Sequence, residues 1–221
     1  MSLIPHRFLV RMAYPCLYAQ NMPTRRDARV LDLPVEFAID NFAAIDAETN
    51  FADVRLAWND LGIGLQIEVR GKQQMAVGNP DRPRGSDGVT LWLDTRDARA
   101  SHRATRYCHQ FHFLATGAGP ELDEPAFVQT KINRAIEDAP IIAAADAGVL
   151  LKVQHRKSGY VLEAFLPAAA LNGYDPREHR KLGIFYAVHD DELGEQLLSL
   201  SPEFPFWEDP SLWSVLELAD E

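Results

Sequence analysis

The sequence predicts an all-β protein, an antiparallel β-sandwich carrying one or two short helices. Three observations predict it. Apolar and polar residues alternate with a period of two in run after run. The runs are short and are separated by turn signals rich in Gly, Pro and Asn. Helical periodicity is almost absent. Successive side chains on a strand point to opposite faces, so each run marks a strand, and many in series build a sandwich.

The elements follow in chain order. Phe8, Val10 and Met12 alternate with Leu9, Arg11 and Ala13. Val54, Leu56 and Trp58 alternate with Asp53, Arg55 and Ala57, then Leu65, Ile67 and Val69 with Gln66, Glu68 and Arg70. Asn59-Asp60-Leu61-Gly62 between those two runs reads as a hairpin turn. Val89, Leu91 and Leu93 alternate with Thr90, Trp92 and Asp94, and a second run follows over residues 106–113. Residues 131–137 fit either a short helix or a strand. Residues 150–154 and 160–166 flank Arg156-Lys157-Ser158-Gly159, a second hairpin. Pro167-Ala168-Ala169-Ala170-Leu171 reads as one helical turn stopped by Asn172-Gly173, and residues 184–188 and 213–218 add strands. Trp58 and Trp213, beside Leu56 and Val215, read as core. No linker and no internal repeat divides the chain, so residues 1–221 are expected to form one domain.

Composition limits the function. Of 221 residues 47% are apolar, enough for a proper core, and the formal net charge is -10. A chain this acidic, with acidic residues interleaved among its basic clusters at residues 25–29 and 96–106, is not expected to bind nucleic acid. No segment approaches a membrane span, and the first sixteen residues lack the apolar run of a signal peptide. A cytoplasmic location follows as the simplest expectation, with Cys16 and Cys108 as free thiols.

Residues 84–113 are the most informative stretch. Tyr107, His109, Phe111 and Phe113 are expected on one strand face, and Arg106, Cys108, Gln110 and His112 on the other. A face that merely met water would favour Lys, Glu and Thr. Trp, Arg, Gln and His instead suit stacking on a ligand and hydrogen bonding to it. The expected ligand-binding residues are Arg84 from the preceding loop, Trp92, Arg106, Gln110 and His112, with Trp207 from a neighbouring loop.

The order AWNDLGIGLQIEV, SDGVTLWLDTR, SGYVLEAFLPAAAL, KLGIFYAVHDDE and SLWSVLEL resembles the family 9 carbohydrate-binding modules and their DOMON-like relatives. The resemblance covers roughly residues 51–218, leaving residues 1–50 as an N-terminal edge segment. It implies a jelly-roll-like β-sandwich and a carbohydrate or similar polar small molecule as partner. Asp87 and Asp94 bracket the middle strand as in that family, whereas Thr90 stands where many members have Glu. Calcium, which members often bind, would fall to Asp190-Asp191 and Glu192 with Glu195.

Other chemistry finds less support in the residues. His102, His109 and His112 are weak candidates for metal ligands, because His109 and His112 face opposite ways on a regular strand and no tight ligand spacing occurs. Met75 with a histidine would be needed for haem. No Gly-x-Ser-x-Gly elbow, phosphate loop or HExxH motif is present. Glu163 could act as an acid or base with Asp94, but nothing in the sequence brings the two to the separation a glycosidase requires. The sequence therefore favours a non-catalytic binding domain that needs no cofactor. The alternatives are an enzyme or metal-dependent protein using residues 102–112, and a protein-interaction module.

Overall fold

The structure, a computed structural model, describes residues 12–24, 29–41, 50–98, 100–143, 145–199 and 202–220. The alternation read over residues 8–11 and the basic cluster at residues 25–28 lie outside them. Among the described residues eleven strands form: β1 (Ala13–Tyr18), β2 (Ala52–Asn59), β3 (Gly62–Arg70), β4 (Gly88–Asp94), β5 (Cys108–Ala118), β6 (Glu124–Thr130), β7 (Leu150–Arg156), β8 (Gly159–Pro167), β9 (Lys181–Asp190), β10 (Gly194–Leu197) and β11 (Ser214–Ala219). They run in the order β6-β5-β4-β9-β11-β1-β2-β3-β8-β7, with β10 on β9. The sheet folds over itself into a sandwich, so that β6 comes back to β7.

Both predicted hairpins form with two-residue turns. Asn59 Oδ1 accepts the Leu61 amide at 2.9 Å, which closes the first. Residues 168–170 make a single 3₁₀ turn, as the short Ala run predicts. Residues 131–137 form neither helix nor strand but a series of turns and bends, because Ile132 alone among them is buried and no periodic face is satisfied.

The N-terminal segment departs from its expected edge position. β1 lies inside the sheet, parallel to both neighbours, with Ala13 opposite Val215 and Leu17 opposite Ala57. Its alternation reports that Tyr14 and Cys16 are buried, and says nothing about which strands flank it. Beyond β1 the chain lies across the outer face of β2, β3 and β8. There Met22, Val30, Leu31 and Leu33 pack with Ala57 and Phe165. Glu163 Oε2 accepts the amides of Val30 and Leu31 at 2.8 and 3.1 Å, and Gln66 Oε1 takes that of Leu33 at 3.2 Å.

The core fills the space between the layers. Phe111, Phe113 and Phe127 form one ring cluster with Leu91, Leu93 and Tyr186 among their buried neighbours. Trp58 and Trp213 are buried as expected, each donating its indole N–H at 2.8 Å, to Ala219 O and Phe206 O respectively. Such a partner is what a buried indole requires. Cys16 and Cys108 are buried free thiols, and desolvation pushes Cys108 up to about 12.

One buried charge cluster ties the loops at the site end. Lys72 Nζ lies 3.0 Å from both Asp87 Oδ2 and Asp190 Oδ1, with side-chain exposures of 2%, 0% and 0%. Burial opposes the ammonium, and its hydrogen bonds to the two carboxylates outweigh that penalty, so its pKa is raised. Asp87 also accepts the amides of Val77 and Asp191, and Asp190 those of Glu192 and Leu193. Gly88 follows at the start of β4, where a Cβ would collide with the Phe113 carbonyl, so only glycine lets β4 and β5 close beside this cluster. Replacing Lys72 with Met should leave two buried carboxylates without a counter-charge. The expected loss is ~3–5 kcal/mol, read as a lower urea midpoint at unchanged slope.

Candidate functional site

Gln110 and His112 project from the same face of β5, opposite Trp92 and Thr90 of β4 and beside Thr130 of β6. Gln110, His112, Trp92 and Thr90 are all buried, so each polar atom there needs a partner. Trp92 Nε1 donates to Gln110 Oε1 at 2.9 Å. An indole N–H can only donate, which fixes the Gln110 oxygen as the acceptor and its nitrogen as the donor. Gln110 Nε2 therefore donates to His112 Nε2 at 3.1 Å, and that ring nitrogen carries no proton. His112 Nδ1–H donates in turn to Thr90 Oγ1 at 2.8 Å, while Thr130 Oγ1 donates to Nε2 at 2.9 Å. The result is a ladder in which every hydrogen bond along Trp92, Gln110, His112 and Thr90 points the same way.

Arg84, in the 3₁₀ turn Pro83–Gly85, covers this ladder. The residue as a whole is exposed, and its guanidinium lies 5.7 Å from the Trp92 ring centroid and donates to Gln110 Oε1 at 3.3 Å. A cavity of about 350 Å³ opens here, lined by Arg82, Arg84, Gln110, His112, Thr130 and Lys131 with the apolar ring of Pro83. It is at the small end for ligand pockets, which run from ~300 to ~1,000 Å³. Three of the predicted site residues, Arg84, Gln110 and His112, thus converge on one cavity.

Three others do not line it. Arg106 precedes β5 in a turn, so the alternation of the strand does not extend to it. Its guanidinium is exposed, 5.3 Å from the Tyr107 ring and 3.7 Å from Glu137. Trp92 belongs to the site only through its N–H. Its ring is sealed edge-on against Phe206 at 5.5 Å and Phe185 at 6.0 Å, and those two stack at 4.3 Å. Uncovering it would forfeit ~1.5–3 kcal/mol for Phe206 alone, against the ~0.5–1.5 kcal/mol an aromatic pairing adds. The indole ring packs in the core and offers the cavity no stacking plane. Trp207 is half-buried on the far side of Phe206, at 5.4 Å.

The three histidines have separate surroundings. His102 is exposed and hydrogen-bonds to Asp209 Oδ2 and Ser211 Oγ. His109 is on the opposite face of β5 from His112 and stacks on Phe111 at 5.3 Å. Among the described residues no group of three or more His, Cys, Asp or Glu could hold a metal ion. Of the acids read as calcium candidates, Asp190 is engaged by Lys72, and Glu192 accepts the amides of Gln73 and Gln74. Met75 is 88% exposed, far from the apolar pocket that haem needs. Asp94 accepts the amides of Arg96 and Ala98 while Glu163 holds those of Val30 and Leu31, so neither carboxylate is free for acid-base work.

Two further depressions are less suited to a small ligand. A cavity of about 360 Å³ beside Glu163 gathers Arg29, Arg55 and Arg156, but these pair with Asp32, Asp53 and Glu68. A groove of about 1100 Å³ runs between Met22, Phe37, Leu61 and Leu150, and Asp32 is its only charged lining residue among those described. Lys72 escaped sequence reading as a functional residue. The only signal for it is a lone Lys between two turn-rich stretches.

No protein-family model matches the chain, and no curated protein matches it either. Among solved structures it is similar to a family 9 carbohydrate-binding module from Caldicellulosiruptor kristjanssonii in complex with cellotriose. The identity is 16%, with a TM-score of 0.62 and coverage of 95% of each chain. A structure of a family 9 module from the same organism in complex with glucose gives 16% identity and a TM-score of 0.59, over 95% of this chain and 97% of that one. The fold is therefore that of the family 9 modules, as the sequence resemblance implies. Among the described residues no helix is long and apolar enough to cross a membrane.

Burial, with the Arg84 charge adding to it, holds His112 down at about 3, and burial holds His109 down at about 4. In the unfolded chain both would titrate near pH ~6.5. Between those values the unfolded state binds more protons, so stability is full above pH ~6.5 and falls with acidification at ~1.4 kcal/mol per pH unit for each histidine. Urea unfolding at a series of pH values should show this slope, and His112→Asn should remove one histidine's share of it.

Proposed function

We propose that the chain is a non-catalytic carbohydrate-binding domain whose ligand enters the cavity at Arg84, Gln110 and His112. The supporting observation is that a family 9 module fold carries its preorganised polar ladder at the floor of that cavity. A saccharide offers many hydroxyls and a weakly apolar ring face. Fixed amide and guanidinium groups hydrogen-bond the first, and Pro83 offers apolar surface to the second. The ladder is held in one geometry by its own bonds, so little ordering is needed when the ligand arrives. The relatives in complex with cellotriose and glucose support a sugar as the class of ligand. Nucleic acid is disfavoured by the net charge of -10. Two buried, unpaired cysteines favour the reducing cytoplasm as the compartment.

A glycan array followed by calorimetry on the selected sugar tests the reading. Arg84→Ala should weaken binding by the worth of one charge-assisted hydrogen bond, ~1.5–3 kcal/mol or roughly 10- to 100-fold. Arg106→Ala should leave affinity and stability unchanged, since its guanidinium meets only Tyr107 and Glu137 at the surface. A chain that answers no glycan on the array is not a carbohydrate-binding domain.

A further inference from the structure

The cavity is built almost entirely of donors. The ladder uses up most of its acceptors internally: Gln110 Oε1 receives Trp92 Nε1 and Arg84, His112 Nε2 receives Gln110 and Thr130, and Thr90 Oγ1 receives His112. What remains for a ligand is the second N–H of Gln110, the N–H groups of Arg84 not given to Gln110 and, as an acceptor, the oxygen of Thr130, whose own proton goes to His112. A guanidinium has five N–H groups and an amide two. Arg82 and Lys131 stand at the rim, and the described lining residues include no carboxylate. Two acids act from outside the lining. Glu195 acts on Arg84 through space, and Asp138 pairs with Lys131 at 2.5 Å. The Lys131–Asp138 pair is solvent-exposed, so its attraction is weak and a bound anion can share the ammonium. A cationic, donor-lined cavity on a chain of net charge -10 runs against the charge of the whole molecule.

We propose that the cavity recognises an acidic sugar, a hexuronate whose ring carboxylate is taken by Arg84 with Lys131 and Arg82 at the rim. The assignment rests on the carbohydrate reading above and goes further by naming the charge of the ligand. A carboxylate matches the planar fork of an arginine, accepting two parallel N–H bonds, and it has no donor that would be left unpaired against Gln110. A neutral hexose meets the same wall with hydroxyls, each of which must then find an acceptor for its own proton. His112 adds no charge of its own, so the positive field belongs to the arginines and the lysine and persists across the physiological pH range.

The test is calorimetry on the full chain with galacturonate and glucuronate, each beside its neutral counterpart, galactose or glucose. A hexuronate should bind at least ~10-fold more tightly than the matching hexose, a charge-assisted bidentate pair being about twice as strong as neutral bonds. The preference should shrink as salt is raised. Arg84→Gln should bring the uronate to the level of the hexose. Lys131→Gln, at a residue whose side chain is 67% exposed and which the fold does not need, should lower the preference several-fold and keeps the test open should the Arg84 variant misfold. Equal or tighter binding of the neutral sugar overturns the acidic-ligand assignment and leaves the carbohydrate reading standing. Tighter binding of glucose 6-sulfate overturns the carboxylate. Inorganic sulfate bound as well as either uronate shows an anion hole indifferent to the ring and overturns it too. No response to any of these sugars overturns the acidic-ligand assignment, and the carbohydrate reading then stands or falls on the glycan array.

Discussion

Lys72 holds its ammonium between Asp87 and Asp190 where water does not reach, and the parts of the molecule that make the candidate site are arranged around it. Asp87 closes the base of the 78–86 loop by donating its amide to the Val77 carbonyl and accepting the Val77 amide on its carboxylate, and its own carbonyl accepts the Ala115 amide from β5. Asp190 ends β9 and fixes the turn into β10. The loop thus anchored carries Arg82, Pro83 and Arg84 to the mouth of the cavity. A buried ion pair is a poor source of net stability, because desolvating the charges consumes most of what their attraction returns. Its use here is positional: two carboxylates that cannot both stay buried without the ammonium oblige three loops to meet at one point.

The ladder on β4 and β5 solves a similar problem in neutral form. An amide, an imidazole, an indole and the Thr90 hydroxyl lie buried on one sheet face, with the Thr130 hydroxyl half-buried beside them. Each left unpaired would cost ~1–3 kcal/mol. Because the indole can only donate, it sets the direction of every following bond, and the imidazole is left uncharged. Two properties that look separate, the tautomer of His112 and the donor character of the cavity, therefore have one origin in the Trp92 N–H.

Much of the architecture was legible in alternation alone. The hairpins at Asn59–Gly62 and Arg156–Gly159, strands β4 and β9, and the buried Trp58 and Trp213 all follow from local pattern and turn chemistry. Arg84, Gln110 and His112 were legible as a set because two of them share a strand face and the third is a short loop away. What alternation cannot report is who covers a face. Phe206, over ninety residues from Trp92, seals the ring that sequence reading offers to a ligand. Arg106 fails for a different reason: the strand starts at Cys108, and a strand boundary misplaced by two residues keeps the parity right while moving the side chain off the sheet. The inner position of β1 and the burial of Lys72 are non-local, since each depends in part on a partner more than a hundred residues away.

The parallel pairing of β1 with β11 joins Ala13 to Val215, contacts separated by nearly the whole described chain. During synthesis β1, and later β9, would therefore wait with an unpaired edge until β11 is made. Closure of so long a loop is among the slowest events in folding, and an open edge is a template for pairing with another chain. The seam that makes the finished sheet continuous is for the same reason the last part of it to exist, so the nascent protein depends on protection of its half-sheets until translation has delivered β11.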